Sequence, residues 1–302
     1  MRILITGGSG LIGHALTKYL VQKGHHVHWL TTQKSPKNMP DGVQTFYWNP
    51  AEGKIDDQCW NGVDALVHLA GATIAKRWTP HYKTILLESR VVSANVLYAS
   101  LKKLPQHQVK HILSASGTAI YPDDNKAVYT EDSQVQSKTF LGTLVQRWEA
   151  AVDQFSKLDL PVTKVRTGVV YAREGGALEP IVQPIRWGMG AIFGSGKQMQ
   201  SWIHLHDIVQ LYAWLLEQGH AGVFNGVAPH AVSNKAQTKM IAHLLKRPIW
   251  LPPVPRWIMK LILGDMHELL FNDKKILPQR AMDLGFTFTY PDAQKAFENL
   301  LP

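Results

Sequence analysis

The stretch that decides the fold lies at the N-terminus, where residues 2–13 read RILITGGSGLIG. Residues 2–6 form a short, largely apolar run of the kind that becomes a buried strand. Glycines follow in the spacing Gly8-x-Gly10-x-x-Gly13, and apolar residues then recur at helical spacing until Gly24 ends the pattern. The stretch therefore predicts a strand, a tight glycine turn and a helix.

The glycine turn is of a type that binds the pyrophosphate of a dinucleotide. Its glycines permit the tight turn, let the backbone approach a phosphate and let the helix pack closely on the strand. The first turn of the helix offers unpaired backbone N–H groups to the anion. The spacing alone is a weak signal, and a purely structural turn is the alternative interpretation. The strand before it and the helix after it favour the binding function.

Strands and helices alternate over the first 170 residues. Apolar runs predict further strands, and longer periodic segments predict helices; the strands cover residues 27–31, 65–69, 109–114 and 162–170, and the helices cover 79–103 and 140–155. This alternation is typical of a parallel sheet with helices on both faces. We therefore expect an α/β fold with a doubly wound, Rossmann-type sheet.

The composition changes after Tyr171, where glycines and prolines interrupt the regular alternation. We expect two domains. The first, which holds the dinucleotide, comprises residues 1–171 and about 200–224, because residues 201–204 again resemble a strand. The second, a smaller C-terminal substrate-binding domain, comprises about 172–199 and 225–302.

Composition limits the classes of partner. The chain has 302 residues and a formal net charge of +9, and its 45% hydrophobic content is enough for a buried core. Residues 235–280 carry nine Lys and Arg against three Asp and Glu, so +6 of the charge lies there. This segment is either a solvated helical surface or a field that attracts an anionic ligand. We expect no nucleic-acid partner, because no finger, basic helix or aromatic RNA-binding motif accompanies the charge.

Other features exclude further classes. No apolar run approaches the length of about 18 residues that spans a bilayer, so we expect no membrane partner. Cys59 is the single cysteine, which indicates a reducing compartment and a cytoplasmic location. His204-x-His206-Asp207 resembles a metal motif, but no further ligand cluster accompanies it, and we expect no metal.

The cofactor is predicted from the end of the second strand. NAD-binding folds place an Asp or Glu there for the ribose 2′-hydroxyl. Here residues 31–34 read TTQK, and the first acid is Asp41. A carboxylate would repel a 2′-phosphate, so its absence together with Lys34 favours NADP over NAD. The alternative is that Lys34 points into water.

Three stretches together show a family resemblance: TGGSGLIG at residues 6–13, DALVHLAG at 64–71 and SWIHLHD at 201–207. With these motifs the chain resembles the extended, NADP-binding short-chain dehydrogenases/reductases. More narrowly it is similar to their atypical branch, the epimerase family proteins or sugar nucleotide epimerase-like proteins.

The resemblance implies a set of cofactor-binding residues and two departures from the family pattern. Thr32 stands where the family usually has an Arg for the 2′-phosphate, and Ala72 stands where a Glu is common. The implied cofactor-binding residues are Gly7, Gly8, Ser9, Gly10, Leu11, Ile12, Gly13, Thr31, Thr32, Lys34, Leu69, Ala70, Gly71, Arg90, Ser114, Arg166 and Val169.

The usual catalytic pair of the family is missing. Short-chain dehydrogenases use a Ser together with a Tyr-x-x-x-Lys pair, in which the cation lowers the pKa of the phenol. The only two such spacings, Tyr19/Lys23 and Tyr98/Lys102, precede the Ser-bearing strand, and the expected helix has Leu141 and Val145 at those positions. As a hypothesis, Tyr121 exchanges the proton and Ser116 orients the substrate. The alternative is that Tyr121 is an aromatic wall residue.

These features predict an NADP(H)-binding oxidoreductase or epimerase-like enzyme that acts on a small substrate, and the basic C-terminal segment favours an anionic one. The competing interpretation is a non-catalytic NADP(H)-binding sensor or interaction protein, which the missing Tyr/Lys pair supports. The identity of the substrate and the oligomeric state stay open, because a fold does not determine them.

Overall fold

The computed structural model describes residues 1–33, 36 and 38–301. Its strands are β1 (Arg2–Thr6), β2 (His26–Thr31), β3 (Val43–Asn49), β4 (Lys54–Ile55), β5 (Ala65–His68), β6 (His111–Gly117), β7 (Asp124–Tyr129), β8 (Val162–Thr167), β9 (Val169–Tyr171), β10 (Met199–Gln200), β11 (Trp202–His204), β12 (Gly222–Gly226), β13 (Val232–Ser233) and β14 (Lys274–Ile276). Its helices are α1 (Leu11–Gln22), α2 (Pro80–Lys102), α3 (Phe140–Asp153), α4 (Leu178–Arg186), α5 (Leu205–Gln218), α6 (Asn234–Leu244), α7 (Arg256–Leu263), α8 (Gln279–Asp283) and α9 (Ala293–Leu300).

An eight-stranded sheet forms the centre of the molecule, in the order β12-β8-β6-β5-β1-β2-β3-β4. All neighbouring strands pair in parallel except β3 and β4. The chain first proceeds from β1 to β2 and β3 on one side, and then crosses to β5 on the other side of β1. The order of the strands reverses at β1, and ligands of such sheets bind at this point, beyond the carboxyl ends of the strands.

Helices cover both faces of the sheet, because β1 sends alternate side chains to opposite sides. Ile3 and Ile5 belong to the core that contains residues of α1 and α5. Leu4, between them, belongs to the core that contains Leu97 of α2 and Phe155. The predicted doubly wound α/β fold of Rossmann type is therefore confirmed.

The strand predicted over residues 162–170 is two strands in the structure. β8 stays in the main sheet, whereas β9 leaves it and pairs in parallel with β11. Gly168 lies at the break, where an added Cβ would be 2.5 Å from the carbonyl oxygen of Ser201. The close crossing of two backbones at this point requires a residue without a side chain.

After β11 the chain returns to the central sheet, since α5 packs against α1 and β12 pairs with β8. A second core, which includes Tyr171, Trp202 and Phe297, lies among α4, α6 and α9. The carboxylate of Asp207 accepts hydrogen bonds from the backbone N–H groups of Thr289 and Tyr290, at 3.0 and 2.9 Å. This contact fixes the C-terminal segment on α5. The division into two domains at the predicted boundaries stays a prediction.

Candidate functional site

The glycine turn lies at the carboxyl end of β1, and three of its glycines have no room for a side chain. Gly7 has a φ of 70° and would bring a Cβ to 2.8 Å from the carbonyl carbon of Leu69. A Cβ on Gly8 would lie 2.3 Å from the indole ring of Trp29, and one on Gly13 would lie 2.3 Å from the carbonyl oxygen of Gly7. The turn is consequently packed against Trp29 of β2 and against the segment that follows β5, whereas Ser9 and Gly10 are exposed.

The N-terminus of α1 is suited to an anion. Gly10 is its N-cap and supplies no capping side chain, and the first turn contains no acidic residue. Its leading N–H groups therefore keep their capacity to donate, and the helix dipole adds partial positive charge there. A cradle of glycine backbone at a helix N-terminus fits the diphosphate of a dinucleotide.

A buried polar network fixes the strand end that faces the turn. The Thr6 hydroxyl oxygen accepts hydrogen bonds from the N–H groups of Leu69 and Ala70, at 3.2 and 3.1 Å, and lies 2.8 Å from Nδ1 of His68. The other ring nitrogen of His68 lies 3.1 Å from the Ser93 hydroxyl. Burial lowers the pKa of His68 to about 4, so the ring is neutral at physiological pH and acts as a positioning group.

Arg90 places a positive charge beside this strand end. Its guanidinium donates to the carbonyl oxygens of Leu86 and Ala72, at 2.9 and 3.1 Å, and stacks on the ring of Trp148. It pairs with no carboxylate in the part of the chain that the structure describes. Burial lowers the pKa of Arg90 to about 10, which still leaves it charged at neutral pH. A partly buried cation without an acidic partner can bind an anionic ligand.

The end of β2 presents hydroxyl and amide groups. The Thr31 hydroxyl accepts a hydrogen bond from the N–H of Gln33 at 3.1 Å, and Thr32 is exposed. On the facing helix, Nε2 of His14 lies 3.1 Å from the carbonyl oxygen of Asn38. Lys34, the cation predicted for this position, lies outside the described residues. A ligand here would meet hydroxyl groups and an imidazole.

The second half of the chain reaches the turn through the loop after β9. A Cβ on Gly176 would lie 3.1 Å from the Leu11 side chain, the first residue of α1. Val169 opens β9, is partly buried and pairs with Trp202 of β11. The structure thus brings the predicted residue Val169 and the loop that contains Gly176 to the same edge of the sheet as the glycine turn.

Ser116 belongs to a buried ionic network at the end of β6. Its hydroxyl donates to a carboxylate oxygen of Glu149 on α3. That carboxylate also accepts two hydrogen bonds from Arg166, at 2.8 and 2.9 Å. Burial disfavours the charged form of Glu149, but the hydrogen bonds and the charge of Arg166 outweigh it and hold the pKa of the carboxyl group below its usual value. Ser114, also predicted in this region, is fully buried in the same strand.

Tyr121 is the second catalytic candidate, and its side chain is completely buried. Its hydroxyl lies 2.8 Å from the amide oxygen of Asn225 and 3.1 Å from the carbonyl oxygen of Thr130, and it accepts a hydrogen bond from Arg166 at 2.9 Å. Burial raises the pKa of the phenol above its usual value. This geometry favours a structural role, and the proposed proton exchange by Tyr121 stays a prediction.

Glu149 is the site residue that the sequence did not single out as functional. Arg166, predicted as a cofactor residue, directs three of its nitrogens to Glu149 and Tyr121. A signal for the pair is present in the sequence. Arg166 lies in an apolar strand and Glu149 on the apolar face of a helix, and charged residues are rarely buried in such places unless they pair.

Apolar residues occupy the part of α3 where the family pattern has its Tyr and Lys. Val145 is buried, and its Cγ2 would lie 3.2 Å from a Cβ on Gly117 at the end of β6. Leu141, one turn earlier, is partly buried. The face of α3 that meets the strand end thus carries no acid/base pair at these two positions.

His204, the N-cap of α5, and His206, in its first turn, take part in packing. The His204 ring stacks on Tyr290 at 4.0 Å between centroids, and its Nδ1 accepts a hydrogen bond from the N–H of His206. Among residues 1–33, 36 and 38–301, no group of three or more His, Cys, Asp or Glu side chains is arranged to hold a metal ion.

Comparison with known proteins yields family and structural matches. Residues 3–228 match the NAD dependent epimerase/dehydratase family, and residues 254–300 match a domain of unknown function, DUF1731. An epimerase family protein of Staphylococcus aureus is 34% identical over 301 residues, which cover 99% of this chain and 98% of that protein. One from Staphylococcus haemolyticus is 33% identical over 303 residues, 99% of each chain.

Solved structures agree with this family. The human epimerase family protein SDR39U1, crystallised with NADPH, has a TM-score of 0.85 and 31% identity, with 99% of each chain covered. A nucleoside-diphosphate sugar epimerase from Corynebacterium glutamicum has a TM-score of 0.80 and 28% identity, and the match covers 58% of that chain. MoeE5 in complex with UDP-glucose and NAD, at 20% identity and a TM-score of 0.77, shows the shared fold.

Proposed function

This chain belongs to the NAD dependent epimerase/dehydratase family, as an atypical extended short-chain dehydrogenase/reductase, and from that premise we propose that it binds NADP(H) and acts as an oxidoreductase or epimerase-like enzyme on a small substrate. The observation that carries the proposal is the glycine cradle at the N-terminus of α1. Side chains are sterically excluded at Gly7, Gly8 and Gly13, so at these positions a ligand would meet backbone alone at the start of α1.

The proposed cofactor site runs along the carboxyl edge of the sheet. Residues 7–13 would hold the diphosphate, residues 69–71 would lie along the adenosine and ribose, and Arg90 would contribute a cation. Thr31 and Thr32 would face the 2′-position, and Val169 would lie at the nicotinamide end. The Thr6–His68–Ser93 network supports this arrangement, because it fixes residues 69–71 next to the turn.

Preference for NADP is supported by the end of β2. The sequence has no acid between residues 31 and 40, so no carboxylate from this stretch would repel a 2′-phosphate. The human relative was crystallised with NADPH. Thr32 in place of the family's usual Arg weakens the expected preference, so we expect it to be moderate.

Isothermal titration with NADPH and NADH tests the proposal. We expect NADPH to bind more tightly than NADH, and Thr32→Arg to strengthen NADPH binding by about 10-fold because it adds a charge-assisted hydrogen bond to the 2′-phosphate. NADH binding should change little. The control is Gln218→Arg, which adds the same charge to an exposed position at the end of α5, in a surface depression that Met1 also lines at the amino end of β1. If neither NADPH nor NADH binds, the cofactor proposal is wrong.

The chemistry would come from the cofactor, which accepts or supplies a hydride at its nicotinamide ring. The protein would position the substrate at the end of β6, where our sequence prediction assigns substrate orientation to Ser116 and proton exchange to Tyr121. A panel of carbonyls, alcohols and nucleotide sugars identifies a substrate. On that substrate, an unchanged rate in Tyr121→Phe would remove Tyr121 from the mechanism.

A non-catalytic NADP(H) sensor is the second candidate, and a specific observation favours it. Leu141 and Val145 occupy the positions of the usual Tyr and Lys, and the hydroxyl of Tyr121 is already bonded to three protein groups. Tight NADPH binding without turnover on the whole panel would support the sensor. In either case we propose a small-molecule ligand and a cytoplasmic location, which the single, buried Cys59 supports.

A further inference from the structure

Large exposed apolar side chains are concentrated between residues 187 and 262. Trp187, Trp250 and Trp257 are each exposed by more than two thirds, at 69, 68 and 68%. Met189, Leu261 and Ile262 are exposed by 52, 76 and 59%. We call these six residues the tryptophan surface. Apolar area of this kind marks an interaction site when it is clustered.

Hydrogen bonds connect the two chain segments that carry the tryptophan surface. The indole N–H of Trp250 donates to the carbonyl oxygen of Gly188, between Trp187 and Met189, at 2.9 Å. Val254 then pairs with the strand-like residues 192–194, through two backbone hydrogen bonds of 2.8 Å. Pro255 follows as the N-cap of α7. The segment that follows α4 and the segment that leads into α7 are therefore joined at Gly188 and at residues 192–194.

Helix α7 is amphipathic, yet none of its eight residues is buried, and all of them lie in the described part of the chain. Six of the eight are apolar. Trp257 and Leu261 are one helical turn apart and face the same direction, with Lys260 beside them. The ion pair between Lys83 and Asp265, at 2.6 Å, anchors the residues directly after the helix to α2. The protein thus holds an apolar helix face in water.

The chain segment that carries most of this surface is cationic. No Asp or Glu occurs from residue 218 to residue 264, whereas the same segment contains Lys235, Lys239, Lys246, Arg247, Arg256 and Lys260. Arg186 ends α4 immediately before Trp187. The first acid after the segment is Asp265, which Lys83 neutralises. An occupant of the tryptophan surface would therefore gain from negative charge.

We propose that the tryptophan surface binds the surface of an anionic lipid bilayer. Trp and Leu on one side of a short helix, with Lys and Arg around them, is the composition of segments that lie at the membrane–water interface. A second copy of the chain fits less well, because a two-fold contact would place this cationic surface against itself. At eight residues α7 is about 12 Å long, so the contact is peripheral.

This proposal revises our expectation that no membrane takes part. That expectation rested on the absence of a long apolar run, and among the described residues no helix is long and apolar enough to cross a bilayer. Interfacial binding depends on a short exposed apolar face and on local charge, and both become apparent only when the exposure of each side chain is known.

Co-sedimentation with vesicles tests the proposal on the full chain. We expect the protein to bind vesicles with about 30% phosphatidylglycerol in phosphatidylcholine and not pure phosphatidylcholine vesicles, with binding weakened by salt. The double variant Trp257→Gln/Leu261→Gln should lose binding, and Lys260→Gln should weaken it about fivefold. Matched controls are Leu284→Gln, an exposed leucine near the C-terminal end of α8, and Lys103→Gln, an exposed lysine after α2.

Two further measurements keep the result unambiguous. Circular dichroism and NADPH titration of each variant establish that fold and cofactor binding are intact, so failure of the membrane proposal is distinct from failure of the cofactor proposal. Binding that is equal on both vesicle types, or unchanged in the double variant, would overturn the proposal. Concentration-dependent self-association that the double variant abolishes, without vesicle binding, would also overturn it and assign the surface to a second copy.

Discussion

Replacing Arg166 by Met removes the hydrogen-bonded counter-ion of the Glu149 carboxylate and leaves it with the more distant Lys164, whose Nζ lies 3.8 Å away. The side chains of Arg166 and Glu149 are about nine-tenths buried, with 10 and 8% exposure. The loss includes two hydrogen bonds, of 2.8 and 2.9 Å, and the bond to the Tyr121 hydroxyl. Breaking a buried pair costs about 3–5 kcal/mol when one charge stays buried, and Lys164, which also pairs with Asp153, compensates that charge only in part.

The size of the expected thermal shift follows from the length of the chain. An unfolding entropy of about 2.1 cal/mol/K per residue gives about 0.6 kcal/mol/K for 302 residues. A loss of about 4 kcal/mol therefore corresponds to a fall in Tm of about 6 °C, measurable by differential scanning calorimetry. Glu52→Gln, in the exposed ion pair with Lys54, is the control and should leave Tm unchanged.

A double variant separates a buried charge from a general loss of packing. Glu149→Leu together with Arg166→Met removes both charges and should be more stable than Arg166→Met alone, because no unpaired ion is left. If the two single changes simply add, or if Arg166→Met lowers Tm by less than about 1 °C, the carboxylate is not held by this pair and the reasoning is wrong.

Three other predictions concern pH, the cofactor cradle and Arg90. The pKa of Glu149 is lower in the folded protein than in the unfolded chain, so the pair stabilises the fold above the unfolded pKa, and this stability is lost as the pH falls through the folded pKa. Wild type should therefore lose more stability on acidification than Glu149→Leu/Arg166→Met. Urea unfolding at a series of pH values measures the difference. Gly8→Ala would place a Cβ 2.3 Å from the Trp29 ring, which a 2.8 Å hydrogen bond to Thr17 holds in place, and should cost about 1–3 kcal/mol and weaken NADPH binding in titration. Arg90→Met should weaken NADPH binding about 10-fold or more by loss of a charged donor, and equal affinity for wild type and variant would remove Arg90 from the site.

The central sheet could be predicted from the sequence because its strands are apolar runs and because glycines mark where the first strand and the first helix end. Residues 2–13 specify strand, turn and helix through local rules alone, and the predicted helix over residues 79–103 agrees with α2 to within one residue at each end. The crossing at Gly168 could not be predicted in this way. The break between β8 and β9 depends on the approach of Ser201, a residue more than 30 positions away, and local propensity contains no information about that contact.

The polar side of the site was less predictable for the same reason. Ser116, Tyr121 and Arg166 were all candidates, and the position of Glu149 on the apolar face of α3 indicates that it pairs with a cation, but not with which one. That network forms only when α3 lies across the ends of β6 and β8. The exposure of Trp257 was equally hidden, because its helical apolar pattern is the same for a core helix and for a surface helix.

The two halves of the proposed function therefore rest on different parts of the molecule. The proposed dinucleotide binding depends on backbone shape at Gly7, Gly8 and Gly13, where no side chain fits. This shape does not depend on which side chains lie at the end of β6. Turnover depends on side chains, and at the end of β6 these are committed to one another, with Glu149 bound to both Ser116 and Arg166. A protein with an intact cradle and a closed ionic network can hold NADP(H) without a free acid or base from this network. Turnover would then require that the substrate itself carries the proton path, or that substrate binding opens the contact between Ser116 and Glu149. In the second case the pH dependence of the rate should be shifted in Ser116→Ala.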